Sequence, residues 1–261
     1  PGSPLGMVES ALSPKAMSSV MLLLLSAILT MTAKAPLAYG LDNGLALQPI
    51  LGWNTWMSCD DTGCGHDQCS EQMVKEAATA MQENGMQNLG WRYVNLDDCW
   101  AFPRNESTGE LRWDPERFPS GIPSLTAWLH ERDFLFGLYT SGGNVTCSSG
   151  GRPMVIPGSE GHFDQDARTF ASWGVDFVKF DWCGNVKKQI WKGPKYHKEW
   201  AKAMNSSGRP MVVDVVGGFE FLLKDIKHYA NSWRFCEDHH DSWDSLKEQL
   251  LCRADQRLTG L

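Results

Sequence analysis

The feature that most constrains this chain is a rhythm. Short apolar runs, each closing on polar residues, alternate with longer stretches of helical period. The runs are 50–53, 93–98, 134–139, 175–181, 211–215 and 233–238. Between them lie 70–84, 124–132, 164–173 and 196–205, and 242–253 follows the last. The first of these has Ser70 as N-cap, Met73, Ala77, Ala80 and Met81 on one face, and Gly85 as its stop. Parallel strands need a crossover long enough to hold a helix, so this alternation implies a parallel sheet of βα units. Asp97, Asp98, Tyr139, Asp181 and Asp238 fall at the ends of their runs. In a (β/α)8 barrel that rim is where the active site is built. An open doubly wound sheet fits less well, because Gly52-Trp53-Asn54-Thr55 is not a G-x-G-x-x-G turn. The fold class read from the sequence is therefore α/β, of the (β/α)8 TIM-barrel type. About six βα units are legible where a closed barrel has eight strands, so the barrel is expected to be incomplete.

The N-terminus reads differently. Residues 1–6 resemble a cloning scar, and 7–40 form an extension ahead of the barrel at 41–261. Lys15 precedes the apolar run Val20–Leu29, which is short of the roughly 20 residues a membrane span needs. It fits the h-region of a secretory signal, with Ala38-Tyr39-Gly40 placing cleavage before Leu41. Ala33-Lys34-Ala35 fits the same rule but is followed by Pro36, and a buried N-terminal helix is the alternative to a signal. A secretory route, ending outside the cell or in the lysosome with no membrane attachment after cleavage, makes disulfides the natural reading of the eight Cys. Sequons at Asn105, Asn144 and Asn205 agree with that route. With 24 Lys+Arg against 31 Asp+Glu, no basic excess exists to neutralise phosphates, which argues against a nucleic-acid partner.

Chemistry concentrates on two runs. Side chains i, i+2 and i+4 of a strand share a face, so Phe177, Lys179 and Asp181 point together into a barrel while Val178 and Phe180 face the helices. A cation beside a carboxylate keeps it ionised, which suits a nucleophile; a structural ion pair would look the same. Asp238 follows Arg234 by four residues, and its neighbours Glu237 and Asp241 supply like charge that would raise a carboxyl pKa. Two carboxyls in contrasting environments are the equipment of a glycosidase. The 12 Trp are mostly core residues, and exposed ones would stack on sugar rings.

Gly52-Trp53-Asn54-Thr55-Trp56, Asn95-Leu96-Asp97-Asp98-Cys99-Trp100, Gly137-Leu138-Tyr139 and Lys179-Phe180-Asp181-Trp182-Cys183 together resemble the melibiase family. These are glycoside hydrolases comprising α-galactosidases and α-N-acetylgalactosaminidases. Residues 41–46, 114–121 and 158–167 carry the resemblance further. It implies a retaining double displacement on terminal α-galactose or α-N-acetylgalactosamine, without metal or cofactor. It makes Asp181 the nucleophile and Asp238 the general acid/base. Asp97 and Asp98 would take the sugar 4- and 6-hydroxyls, Lys179 and Arg234 would bind ring hydroxyls, and Trp56 and Tyr139 would line the pocket. It also implies the disulfides Cys59–Cys99, Cys64–Cys69 and Cys147–Cys183, with Cys236 and Cys252 either paired together or free.

Departures accompany the match. Val215 and Ala230 occupy two family cysteine positions, Thr140-Ser141 replaces the usual Ser-Asp, and 213–218 differs in the loop that reads the sugar 2-substituent. The chain is expected to stop before the family's seventh and eighth strands and its C-terminal β-sandwich. A truncated product without activity, surviving as a glycan-binding remnant, an unstable fragment or a homodimer, is the second reading. A metal hydrolase built on Asp97, Asp98 and His239-His240 is a third, disfavoured because the resemblance accounts for the aspartates.

Overall fold

A computed structural model describes residues 41, 43–57, 69–148, 154–216, 225–234, 236, 238–240 and 242–258, with 253–258 as backbone alone. All fall in one compact unit, Tyr39–Leu261. The expected scar and secretory signal lie outside the described residues. Six strands form a parallel sheet whose order follows the chain: β1 (Gly52–Asn54), β2 (Tyr93–Asn95), β5 (Leu135–Ser141), β6 (Phe177–Asp181), β7 (Val212–Val216) and β8 (Ser232–Arg234). An antiparallel ribbon of β3 (Ala101–Phe102) and β4 (Arg112–Trp113) follows β2. Among the described residues the α-helices of eight or more residues are α1 (Glu71–Glu83), α2 (Ile122–His130), α3 (Phe163–Ser172), α4 (Gly193–Asn205) and α5 (Trp243–Leu258). This is the strand succession of a TIM-type barrel, open between β8 and β1 among the described residues. No described helix is long and apolar enough to cross a membrane.

Local signals set the boundaries. Ser70 Oγ accepts from Met73 N at 3.2 Å and caps α1. Helix α2 starts two residues before the expected Ser124, because Pro123 fits a first turn whose N–H groups have no intrahelical partner. Val178 and Phe180 are fully buried against the helices, where Phe180 stacks on Trp200 of α4 at 4.9 Å. Val213, Val215 and Phe136 occupy the same outward face. Burying each such side chain stabilises the fold by about 1.5–3 kcal/mol. Gly137 lets β2 and β5 approach, since a Cβ there would meet Asn95 Oδ1 at 2.1 Å.

Polar contacts brace the N-terminal end of the sheet. Asp176 accepts from Phe136 N at 2.8 Å and Arg209 Nη2 at 2.5 Å, and lies 2.7 Å from His130 Nε2. A strap of residues 41 and 43–45 meets the β7–β8 connection through Asn231, whose Nδ2 donates to Asn43 Oδ1 at 2.9 Å while its Oδ1 accepts from Val213 N. Asn43 Nδ2 in turn donates to Met211 O at 2.9 Å.

Among the described residues the disulfides are Cys69–Cys99, Cys147–Cys183 and Cys236–Cys252. The first corrects the implied Cys59–Cys99 and Cys64–Cys69 pairs, since each sulfur forms one such bond. Cys69, just ahead of the α1 cap, and Cys99, just beyond β2, are both buried with Cα atoms 6.1 Å apart. Cys59 and Cys64 lie outside the described residues.

Candidate active site

The C-terminal ends of β2, β5 and β6 bring four polar side chains together. Parallel register sets Tyr139 opposite Lys179 and Ser141 opposite Asp181. Tyr139 OH donates to Asp181 Oδ2 at 2.9 Å, and Trp182 N donates to Oδ1 at 2.7 Å. Lys179 Nζ donates to Asp97 Oδ2 at 2.8 Å and stands over the rings of Trp56 and Tyr139 at 5.7 and 5.1 Å. The backbone N of Asp98 occupies Asp97 Oδ1, and Asp98 Oδ2 accepts from Ser148 N at 2.7 Å. Thr55 Oγ1 accepts from Asp97 N at 2.9 Å and so fixes where the β2 loop turns.

The direct Lys179–Asp181 pairing suggested by their shared strand face is not what forms. Side chains two residues apart stand about 6.6 Å apart along a strand. The β2 loop instead carries Asp97 to the ammonium, and Asp181 is held by a neutral phenol and a backbone amide.

Electrostatics follow from burial among like charges. Burial would lower the Lys179 pKa, but Asp97, Asp181 and Asp214 together outweigh it and raise it. Burial, then the negative charges of Asp181, Asp98 and Asp97, hold the Tyr139 phenol well above its ordinary value, so it stays a hydrogen-bond donor. Burial also raises Asp98, with the Ser148 N–H opposing and Asp97 assisting. A carboxylate with one hydrogen bond on each oxygen, beside an acceptor-rich wall carrying one fixed cation, can attack an electrophilic carbon while the wall binds hydroxyls.

Arg234 and Asp238 form a separate pair, Nη1 to Oδ1, at the end of β8. Their side chains are 35% and 45% exposed. Among the described residues no hydrogen bond or ion pair joins them to the Asp97–Lys179–Tyr139–Asp181 group. Glu237 and Asp241, the like charges expected beside Asp238, lie outside the described residues, and its partner here is a guanidinium.

Sequence reading missed Asp214. It lies mid-strand in β7 with Lys179 and Ser232 as register neighbours, and Ser232 Oγ donates to its Oδ1 at 2.6 Å. Burial raises its pKa against the pull of Ser232 and Lys179. Its signal was available, because a lone acid within Val212–Val216 falls on the inner face. At the departure Thr140-Ser141, the hydroxyls brace loops: Thr140 Oγ1 lies 2.6 Å from Ser159 Oγ, and Ser141 Oγ accepts from Cys183 N. Of the divergent 213–218 segment, only 213–216 is described. His239 and His240 are exposed and contact Ser245 rather than the aspartates. Cys147, Asp181 and Cys183 cluster closely enough to suggest metal ligation, but the two sulfurs are joined in a disulfide.

Comparison with known proteins bears on this geometry. The family model for alpha galactosidase A matches residues 48–258. An α-galactosidase of Cyamopsis tetragonoloba is 39% identical over 209 residues, 80% of this chain and 47% of that protein. An α-N-acetylgalactosaminidase of Gallus gallus is 39% identical over 221 residues, 79% of this chain and 52% of that one. Among solved structures, the α-galactosidase of Saccharomyces cerevisiae with raffinose superposes with TM-score 0.67 at 32% identity, covering 78% of this chain and 42% of its own. The chain thus spans about half the length of the curated relatives it matches.

Proposed function

Because the chain belongs to the α-galactosidase A family, we propose that it acts as a retaining glycosidase on terminal α-galactose or α-N-acetylgalactosamine. Its substrates would be oligosaccharides, glycolipids or glycoproteins met along the secretory route. The observation that carries this reading is the placement of Asp181, oriented by Tyr139 and the Trp182 amide beside the Asp97–Lys179 pair.

In the proposed first step an Asp181 oxygen forms a bond to the anomeric carbon as the bond to the glycosidic oxygen breaks, and Asp238 gives that oxygen its proton. Asp238 then takes a proton from water, which attacks the same carbon and releases Asp181. Asp97 and Asp98 accept hydrogen bonds from the 4- and 6-hydroxyls, Lys179 and Arg234 hold ring hydroxyls, and Trp56 and Tyr139 flank the sugar. Retention requires the two carboxyls to stand about 5–5.5 Å apart with the sugar bound. No step requires metal or cofactor.

The test is release of nitrophenol from a nitrophenyl α-galactoside. The wild-type chain should turn over, and Asp181→Asn should lower kcat by at least about 10³-fold with its folding unchanged. Wild-type rates in that variant would refute the assignment.

A second reading, a glycan-binding chain without turnover, whether monomeric or a homodimer, draws on one observation. Asp238 is half-exposed and bonded to Arg234, apart from the Asp181 group. Galactose-induced NMR shifts at Lys179 and Asp97 with no nitrophenol release would select it.

A further inference from the structure

We propose that Asn105 is an N-glycosylation site whose first N-acetylglucosamine lies in the groove walled by the packed Trp113–Trp173 pair. The proposal rests on the secretory reading of the chain and concerns a groove whose lining includes none of the Asp97–Lys179–Tyr139–Asp181 group.

Asn105 belongs to the turn linking β3 and β4. Its Oδ1 accepts from Ser107 Oγ at 2.7 Å, Ser107 N at 3.0 Å and Thr108 N at 3.3 Å. Those three donors face the amide oxygen into the turn, and Nδ2, the atom that bears a glycan, makes no hydrogen bond among the described residues. The segment Asn105-Glu106-Ser107 is a sequon.

The same asparagine lines a groove of about 500 Å³ with Glu110, Arg112, Trp113, Pro115 and Trp173. Trp113 and Trp173 are half-buried and pack edge to face, with centroids 5.4 Å apart. A β-linked N-acetylglucosamine has apolar C–H faces suited to an indole, while hydroxyls and an acetamide suit the Glu110 carboxylate and Arg112 guanidinium. That combination of aromatic wall and few polar groups is what a small-ligand groove requires. A sugar tethered at the groove's own lip reaches it at high effective concentration.

Attachment forms the Nδ2–C1 bond and breaks the C1–oxygen bond of a polyprenyl-diphosphate-linked oligosaccharide. The Nδ2 proton passes to a base, and the lipid diphosphate leaves.

The test uses the full chain with its own N-terminal extension, made in a glycosylating eukaryotic cell, and glycopeptide mass spectrometry. Asn105 should be occupied. Trimming every glycan to one N-acetylglucosamine should leave Tm unchanged, and that sugar's protons should be ring-current shifted. Asn105→Gln should lower Tm by about 2–4 °C more in that host than in an oxidising host that does not glycosylate; the second host measures the turn's own contribution. An unmodified Asn105 beside glycosylated Asn144 or Asn205 would overturn the proposal and leave the secretory reading standing. No glycan at any sequon would overturn both. Occupancy at Asn105 with equal Tm losses in the two hosts would overturn the groove contact.

Discussion

His197 on α4 is 1% exposed, and among the described residues neither ring nitrogen has a hydrogen-bond partner. It packs beside the rings of Phe180 and Trp182, at 5.9 and 5.7 Å. Burial pushes its pKa from 6.5 down to about 4, so the native state holds it neutral. The unfolded chain binds a proton below its ordinary value of 6.5, and the folded chain does so only near 4. The stability associated with a neutral His197 is therefore complete above pH 6.5 and is lost as pH falls toward 4, by about 3 kcal/mol in all. Urea unfolding of wild type and His197→Leu at pH 7 and pH 5 should show wild type losing about 2 kcal/mol more than the variant across that interval. Parallel pH dependences would exclude the ring as the cause. At this scale the sequence was uneven. Asp97, Tyr139, Lys179 and Asp181 were legible because each ends or nearly ends an apolar run. His197 was not, because helical periodicity says a position faces inward without saying that aromatic rings such as Phe180 and Trp182 await it there.

Strand lengths grade the sheet. Strand β5 has seven residues and β6 and β7 five each, whereas β1 and β8 have three and, among the described residues, one neighbour each. Local opening costs least where backbone hydrogen bonds border solvent and little apolar surface is shared. Hydrogen exchange should therefore be slowest at Leu138, Val178, Phe180 and Val213 and faster, by about tenfold or more, at Trp53 and Trp233. Equal protection across the sheet would contradict this gradient. In β6 and β7 the outward residues Val178, Phe180, Val213 and Val215 are all apolar, which is part of what makes these runs legible in the sequence. The β3–β4 ribbon escaped notice because strands of two residues cannot display a period of two. The Cys69–Cys99 bond escaped for a related reason: spacing along the chain does not show that the cap of α1 sits against the loop leaving β2.

Over the whole molecule, the fold's ends are tied by amides rather than by apolar packing alone. Asn231 bonds Val213 N, Asn43 Oδ1 and the carbonyls of Leu41 and Leu45. Asn231→Ala would leave these groups unpaired, at about 1–3 kcal/mol for a buried group. A lower urea midpoint with unchanged m would bear this out, whereas an unshifted midpoint would mean that solvent replaces the amide freely. The contact joins residues 188 positions apart in the chain. A ribosome adds about 5–20 residues per second, so the partner of Asn43 is made about 10–40 s after it. Throughout that interval the strap exists without its anchorage. A nascent chain must keep it uncommitted, open to chaperones or to mispairing, until the β7–β8 connection has been synthesised.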